Sequence, residues 1–363
     1  MGYNTSMELP RSQPAPTWIL LMNTPSHRKP ARHFSGQSLF LLAVILLCLV
    51  VAGAIFWPSG HGSNRNSGGS SAAAVHDSLR LEDIPFNGTE AYDYLKQLCA
   101  LGPRPSGSEH MTAQQKLLVA HFEKYGGHVE LQRFRVKHPL NDTLVPMANI
   151  IVHWQPKNPD RIILCGHYDT LPFPMHDPED PRGVFVGAND NGSGIAILME
   201  LAQEMAAMKT PCGVDFVLFD GEEFIFSEQD RFFLGSEYFA RAYAADHAKY
   251  RYRAAVLLDM VGDKDLQIYQ ERNSVGWKDS RPLVDAIWAT AARLGVGEFV
   301  AEKKYEISDD HLPLHGLGGI PACDVIDFDY PPWHTRGDTP DKCSALSLAK
   351  VGWVMREWLK TAR

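Results

Sequence analysis

Residues 161–169 read RIILCGHYD, residues 214–223 read VDFVLFDGEE and residues 254–259 read AAVLLD. Each is a short, nearly continuous apolar run that ends in imidazole or carboxylate. Such runs lack the in–out alternation of a half-exposed sheet and predict strands buried on both faces. Around them lie stretches with apolar residues at helical spacing, at 89–101, 112–125, 194–208, 236–245, 282–294 and 344–359. Further strands are expected at 128–136 and 150–154. Helices alternating with buried strands predict an α/β fold, a three-layer α/β/α sandwich around a mostly parallel mixed sheet. Ligands of such sheets sit beyond the carboxyl ends of the strands. The terminal acids and imidazoles should therefore gather on one edge.

Working outward, the chain has 363 residues, 45% hydrophobic and 21% charged, which excludes wholesale disorder. The formal charge of −8 argues against a nucleic-acid partner, whose contacts need basic surface. Six cysteines are too few for a disulfide-built scaffold. Residues 1–38 are rich in Pro and Ser, with Arg11, Arg28, Lys29 and Arg32 against Glu8 alone, and read as a disordered cytoplasmic tail. Residues 39–57 are uncharged and apolar apart from small residues. At about 1.5 Å per residue they span roughly 28 Å, enough for one N-terminal transmembrane helix. A cleaved signal peptide is the alternative, because Ala52-Gly53-Ala54 resembles a small-residue cleavage site, although that cut would fall inside the run. The basic residues precede the run, so the N-terminus is expected in the cytoplasm and the rest exported. The exported side would be the periplasm of a bacterium or the Golgi lumen of a eukaryote. Residues 58–78 read as a flexible linker and residues 79–363 as the globular body.

Within the body, His167 and Asp169 are two apart, so on a strand they share a face. Either His167 meets a metal or substrate while Asp169 holds its other nitrogen, or the pair caps a strand end. Asp190, inside GANDNGSG at 187–194, is a ligand or the N-cap of the helix that follows. Glu222 and Glu223 are adjacent carboxylates at a buried strand end, costly unless they share a cation or a proton. Adjacent side chains diverge, so one can bind a metal while the other serves as general acid and base. Asp259 follows apolar residues and needs a partner. Asp309, in ISDDH at 307–311, is a helix cap or a working acid, and His334 is a ligand in a rigid loop or a structural histidine. Two histidines with several carboxylates at one sheet edge suit Zn²⁺. His110, His128, His138, His153, His176, His247 and His315 have no companions at ligand spacing and read as surface or core residues.

The motifs HYD, GANDNGSG, FDGEE, LLD and WHT, in that order, resemble the superfamily that joins zinc aminopeptidases with glutaminyl-peptide cyclotransferases (glutaminyl cyclases). The resemblance runs from about Leu81 to the C-terminus and makes residues 79–363 a zinc-dependent catalytic domain acting on peptide or protein N-termini. In the aminopeptidase branch it implies two zinc ions on His167, Asp190, Glu223, Asp259 and His334, with Glu222 as base. In the cyclase branch it implies one zinc on Asp190, Glu223 and His334, with Glu222, Asp259 and Asp309 managing protons. A relative that binds peptides without catalysis is the third possibility. Three features favour the cyclase: the segment from Asp220-Gly221-Glu222-Glu223 through Leu234-Gly235-Ser236, the doubled Asp309-Asp310 before His311, and Trp333 beside His334. The same resemblance makes Trp333, Tyr330, Ile307 and Phe226 the walls of the substrate pocket. Three departures stand out. The loop after the paired glutamates is shorter than in animal cyclases and lacks their Trp. Cys165 has no disulfide partner in GANDNGSG. Asp324 stands where the cyclase network has a His.

Overall fold

The computed structural model describes residues 79–227, 229–246 and 250–363. The expected tail, anchor and linker lie outside these. Among the described residues no helix is long and apolar enough to cross a membrane.

Two helices open the body, α1 (Gly88–Cys99) and α2 (Glu109–Lys124). The side chains of Asn87 and Ser108 cap them by accepting the amides of Glu90 and Met111. Strands β1 (His128–Lys137), β2 (Leu144–Trp154) and β3 (Asp160–His167) follow, then α3 (Gly192–Met205), β4 (Gly213–Phe219), α4 (Leu234–Ala245) and β5 (Arg251–Asp259). The last part comprises β6 (Ile268–Gln270), α5 (Arg272–Gly276), α6 (Arg281–Leu294), β7 (Phe299–Lys303), α7 (His311–Gly316), β8 (Ala322–Ile326) and α8 (Ala345–Leu359).

Six strands form one sheet in the order β1-β2-β4-β3-β5-β8, and β6 pairs with β7 separately. The β3–β4, β3–β5 and β5–β8 pairings are parallel, whereas β1–β2 and β2–β4 are antiparallel. Alternation along the central strands serves two cores. Ile162, Leu164, Phe216, Leu218, Val256 and Leu258 face a cluster that includes α1, α3 and α8. Ile163, Cys165, Val217, Phe219, Ala255 and Leu257 face Phe239 of α4 and Leu314 of α7. The sheet is therefore mixed, mostly parallel and covered on both faces, which explains the unbroken apolar runs.

Several elements depart from expectation. β2 begins at Leu144 rather than near Ile150. Only Ile150–Trp154 pair with β4; the earlier half, with Pro146, pairs with β1 alone. There the strand is locally an edge, where a proline's missing donor is tolerated. β8 was not expected, because it is five residues long and carries Asp324 at its centre. The cysteines among the described residues are all free and buried, Cys165 included.

Candidate active site

The parallel strands deliver their chemistry to one edge. β3 ends on His167, β5 ends on Asp259, and β4 runs through Asp220 and Gly221 into Glu222 and Glu223. Gly221 has φ +80°, the left-handed conformation glycine adopts freely, and lets the chain turn sharply after the strand. The loop before α3 supplies Asp190. Asn191, not Asp190, caps that helix: its side chain accepts the Gly194 amide at 3.0 Å and donates to the Leu258 carbonyl at 2.7 Å. The Asp190 carboxylate is thus spared for the site.

His334 arrives from the loop after β8 with φ +57°, sparsely populated for a residue with a Cβ and found most often at functional sites. Its Nε2 lies 2.9 Å from Glu223 Oε1 and 3.5 Å from Asp190 Oδ2. Asp190 Oδ2 is buried and has no hydrogen-bond partner. Burial, with His176 nearby, lowers His334 to about 3, so its ring is neutral and its nitrogen can ligate. One donor atom from each of Asp190, Glu223 and His334 lies within 4.8 Å of the others, and all three residues are buried. An orphaned carboxylate oxygen, a second carboxylate and a neutral imidazole fit a borderline divalent ion.

His167 closes two further groupings, with Asp190 and Asp259 and with Glu222 and Glu223. Its Nε2 stands 3.1 Å from Asp190 Oδ1 and 3.7 Å from Asp259 Oδ1. Burial opposes its charging, but Glu222, Asp169, Asp190 and Asp259 outweigh that and raise it well above the usual imidazole range. The Asp169 carboxylate lies 3.7 Å from His167 Nδ1, the nitrogen the sequence reading gave it, and also serves the paired glutamates. Its two oxygens accept the amides of Glu222 at 3.1 Å and Glu223 at 3.0 Å, and its backbone carbonyl, 3.2 Å away, faces His167 Nδ1. One carboxylate thus sets both glutamates.

Glu222, Asp259 and Asp309 line the same cavity as Asp190, Glu223 and His334. Burial is the largest cause lifting Glu222 and Asp309 well above the usual carboxylate range, with neighbouring acids adding to it. Close acids raised in this way share protons rather than ionise together. The apolar wall is Trp333, Ile307, Phe232, Phe328, Met260 and Ile326, around a space of only about 70 Å³. Of the four wall residues named from sequence, Trp333 and Ile307 are there. Tyr330 is buried beneath, donating its hydroxyl to Asp338 at 2.7 Å, and Phe226 packs on Phe224 and His138. Phe232 and Phe328 stand in the wall in their place.

Three supporting residues carried no signal in the sequence. Asp338, 1% exposed, accepts the Asn189 amide at 2.8 Å and the Asp190 amide at 3.1 Å. Arg104, fully buried, donates to the carbonyls of Gly102, Val186 and Gly187, fixing the loop before Asp190. Glu271 accepts the Ile307 amide and also the amides of Asn273 and Ser274, holding the wall in place.

The sequence model of peptidase family M28 matches residues 149–359, the stretch that supplies every one of these strand-end residues. The chain belongs to peptidase family M28. Among solved structures, this M28 chain is 39% identical to a glutaminyl cyclase of Fimbriiglobus ruber, with TM-score 0.74 over 77% of this chain and 97% of that one. It is 28% identical to a Zn-dependent exopeptidase from Parabacteroides distasonis, with TM-score 0.71 over 77% of this chain and 99% of that one. It is also 27% identical to an aminopeptidase of Bacillus subtilis over 56% of this chain, a match that spans 42% of the aminopeptidase. Both activities thus occur among the proteins it resembles.

Proposed function

We propose that the chain is a zinc-dependent glutaminyl-peptide cyclotransferase, converting N-terminal glutamine to pyroglutamate with release of ammonia. The observation that carries this reading is the cavity: Glu222, Asp259 and Asp309 beside Asp190, Glu223 and His334, around a space of about 70 Å³. Ligand pockets are usually several times larger. A glutamine side chain folding back on its own α-amine fits there, with the rest of the peptide outside. The 39% identity to the Fimbriiglobus ruber cyclase points the same way.

Asp190, Glu223 and His334 would hold one zinc ion, which would supply Lewis-acid polarisation of the side-chain amide carbonyl. Glu222 takes a proton from the α-amine as its nitrogen bonds to the amide carbon. It returns that proton to the departing nitrogen as the old carbon–nitrogen bond breaks, so ammonia leaves and no proton is gained or lost. Asp259 and Asp309 hold Glu222 in a shared-proton network. Trp333 and Phe328 keep out the water that would hydrolyse the amide instead.

A two-zinc aminopeptidase is the second reading, favoured by the grouping of His167, Asp190 and Asp259. One assay separates them. The full chain with zinc is given a glutamine-initiated peptide and an apolar-initiated peptide. Ammonia from the first alone supports the cyclase; free amino acid from the second supports the peptidase; neither product sinks both. Metal content by mass spectrometry adds one ion or two.

For residues 39–57 we propose a single-pass anchor with the catalytic domain on the exported side. Resistance to alkaline extraction and protection of the N-terminus from external protease would support it; a soluble chain would refute it.

A further inference from the structure

At the opposite edge of the sheet the register builds a row of charged and imidazole side chains. Asp215 of β4 pairs with His153 of β2, which pairs with His128 of β1. Residues directly opposite in antiparallel strands share a face, so the three stand in line on one side of the sheet. Glu130 lies two residues along β1 from His128 and faces the same way. In sequence the histidines are 25 positions apart at no ligand spacing.

The inner end of the row is fixed. Asp215 is fully buried and receives Arg161 Nε at 3.0 Å and Nη2 at 2.5 Å, the Tyr252 hydroxyl at 2.7 Å and His153 Nδ1 at 2.8 Å. Burial works against its charge, but His153 and Arg161 hold its carboxyl below the usual range. An ionised acceptor takes the Nδ1 proton, and in the neutral ring the lone pair is then on Nε2. His153 is 7% exposed, and its Nε2 is buried with no hydrogen-bond partner. His153 lines a cavity of about 270 Å³ together with His128, Glu130, Lys157, Arg161 and Tyr250. Glu130 Oε2 is 3.6 Å from His153 Nε2, too far for a hydrogen bond and consistent with two ligands of one ion. The His128 ring stacks on His153 with centroids 6.1 Å apart. His128 is exposed, so its side chain has room to change rotamer and join the other two on binding.

We propose that His153, Glu130 and His128 form a second metal site, distinct from the active centre, for a borderline divalent ion such as Zn²⁺ or Ni²⁺. The Asp215–His153 hydrogen bond is one form of the support that metal-binding histidines almost always have, an acceptor (carboxylate, backbone carbonyl or water) on the ring's other nitrogen. Two imidazoles and one carboxylate suit these ions rather than Ca²⁺ or Mg²⁺. The site stands independently of the reaction at the other edge.

The test is equilibrium dialysis of the untagged full chain against Zn²⁺ and, separately, Ni²⁺, with metal per chain measured for wild type and for a His128→Ala/Glu130→Ala variant. Both replaced side chains are on the exposed part of β1, so the core is untouched. Wild type should bind one equivalent more than the variant, or the same equivalent at least about tenfold more tightly. Active-centre metal stays in both. Equal stoichiometry and affinity would overturn the proposal, including the case where a second ion binds at His167 and Asp259 instead. Should the variant fail to fold, diethyl pyrocarbonate labelling of wild type decides. Ni²⁺ should protect the exposed His128, and unchanged labelling of that residue would overturn the site.

Discussion

Asp338 holds the metal-binding loop without touching the proposed ion, and its replacement by Asn isolates that role. The side chain keeps its size. One oxygen survives and can still accept the Asn189 amide and the Tyr330 hydroxyl, the partners of Oδ1. The other becomes an amide nitrogen facing the Asp190 amide, which now lies donor to donor. Leaving a buried donor unmatched costs about 1–3 kcal/mol. That cost falls on the residue whose carboxylate stands 3.5 Å from His334 Nε2. Outer partners of metal ligands typically contribute 10- to 100-fold in affinity, about 1.4–2.8 kcal/mol, which matches the hydrogen-bond figure. Asp338→Asn should therefore weaken zinc binding about 10- to 100-fold, read by competition with a chromophoric chelator. Thermal unfolding of the metal-free variant measures the purely structural loss separately. Zinc affinity within twofold of wild type, with only the unfolding temperature lowered, would refute the reasoning and leave Asp338 as a packing residue.

Other consequences can be measured in the same way. Glu222→Gln should cut turnover of a glutamine-initiated peptide by at least about 10²-fold with zinc content unchanged; retained activity would remove Glu222 from proton transfer. Burial disfavours the charge of Glu271, but His311 and the amides of Ser274 and Asn273 prevail and depress it to about 2, from a usual 4.5. A depressed acid stabilises the fold above its unfolded value and loses that contribution as pH falls from about 4.5 toward 2, up to about 3 kcal/mol here. Glu271→Gln should flatten the drop in urea stability between pH 5.5 and 3, and an unchanged slope would contradict it. Gly187 has φ +59°, and a Cβ there would lie 2.3 Å from the Asp190 carbonyl oxygen. Gly187→Ala should cost about 1–2 kcal/mol from the backbone alone, and more from the clash, with loss of zinc; normal zinc content would show that the loop relaxes freely.

Much of the site is legible because burial makes charge conspicuous. An acid at the end of an apolar run, as at Glu222, Glu223 and Asp259, has few reasons to be there except a cation or a shared proton. Asp190 illustrates the limit. Asp190 and Asn191 are both good caps by composition, and only the hydrogen bond from Gly194 to Asn191 decides between them. Asp169 is similar: its spacing from His167 suggests an imidazole partner, yet the parallel pairing of β3 with β4 brings the amides after β4 within closer reach. Phe226 lies three residues after the paired glutamates, but the loop curls back and Phe232 reaches the cavity.

What the amino-acid order determined alone is local: buried strands, helices with their caps, and the strand ends where acids and imidazoles stop the apolar runs. Periods of 2 and 3.6 and the cost of burying charge need only neighbours along the chain. Which groups meet was decided by tertiary structure. Asp338 reaches Asp190 from 148 positions away, and His128, His153 and Asp215 line up only through the register of three strands. Strand order and loop path depend on how the whole core packs, which no short window of sequence contains.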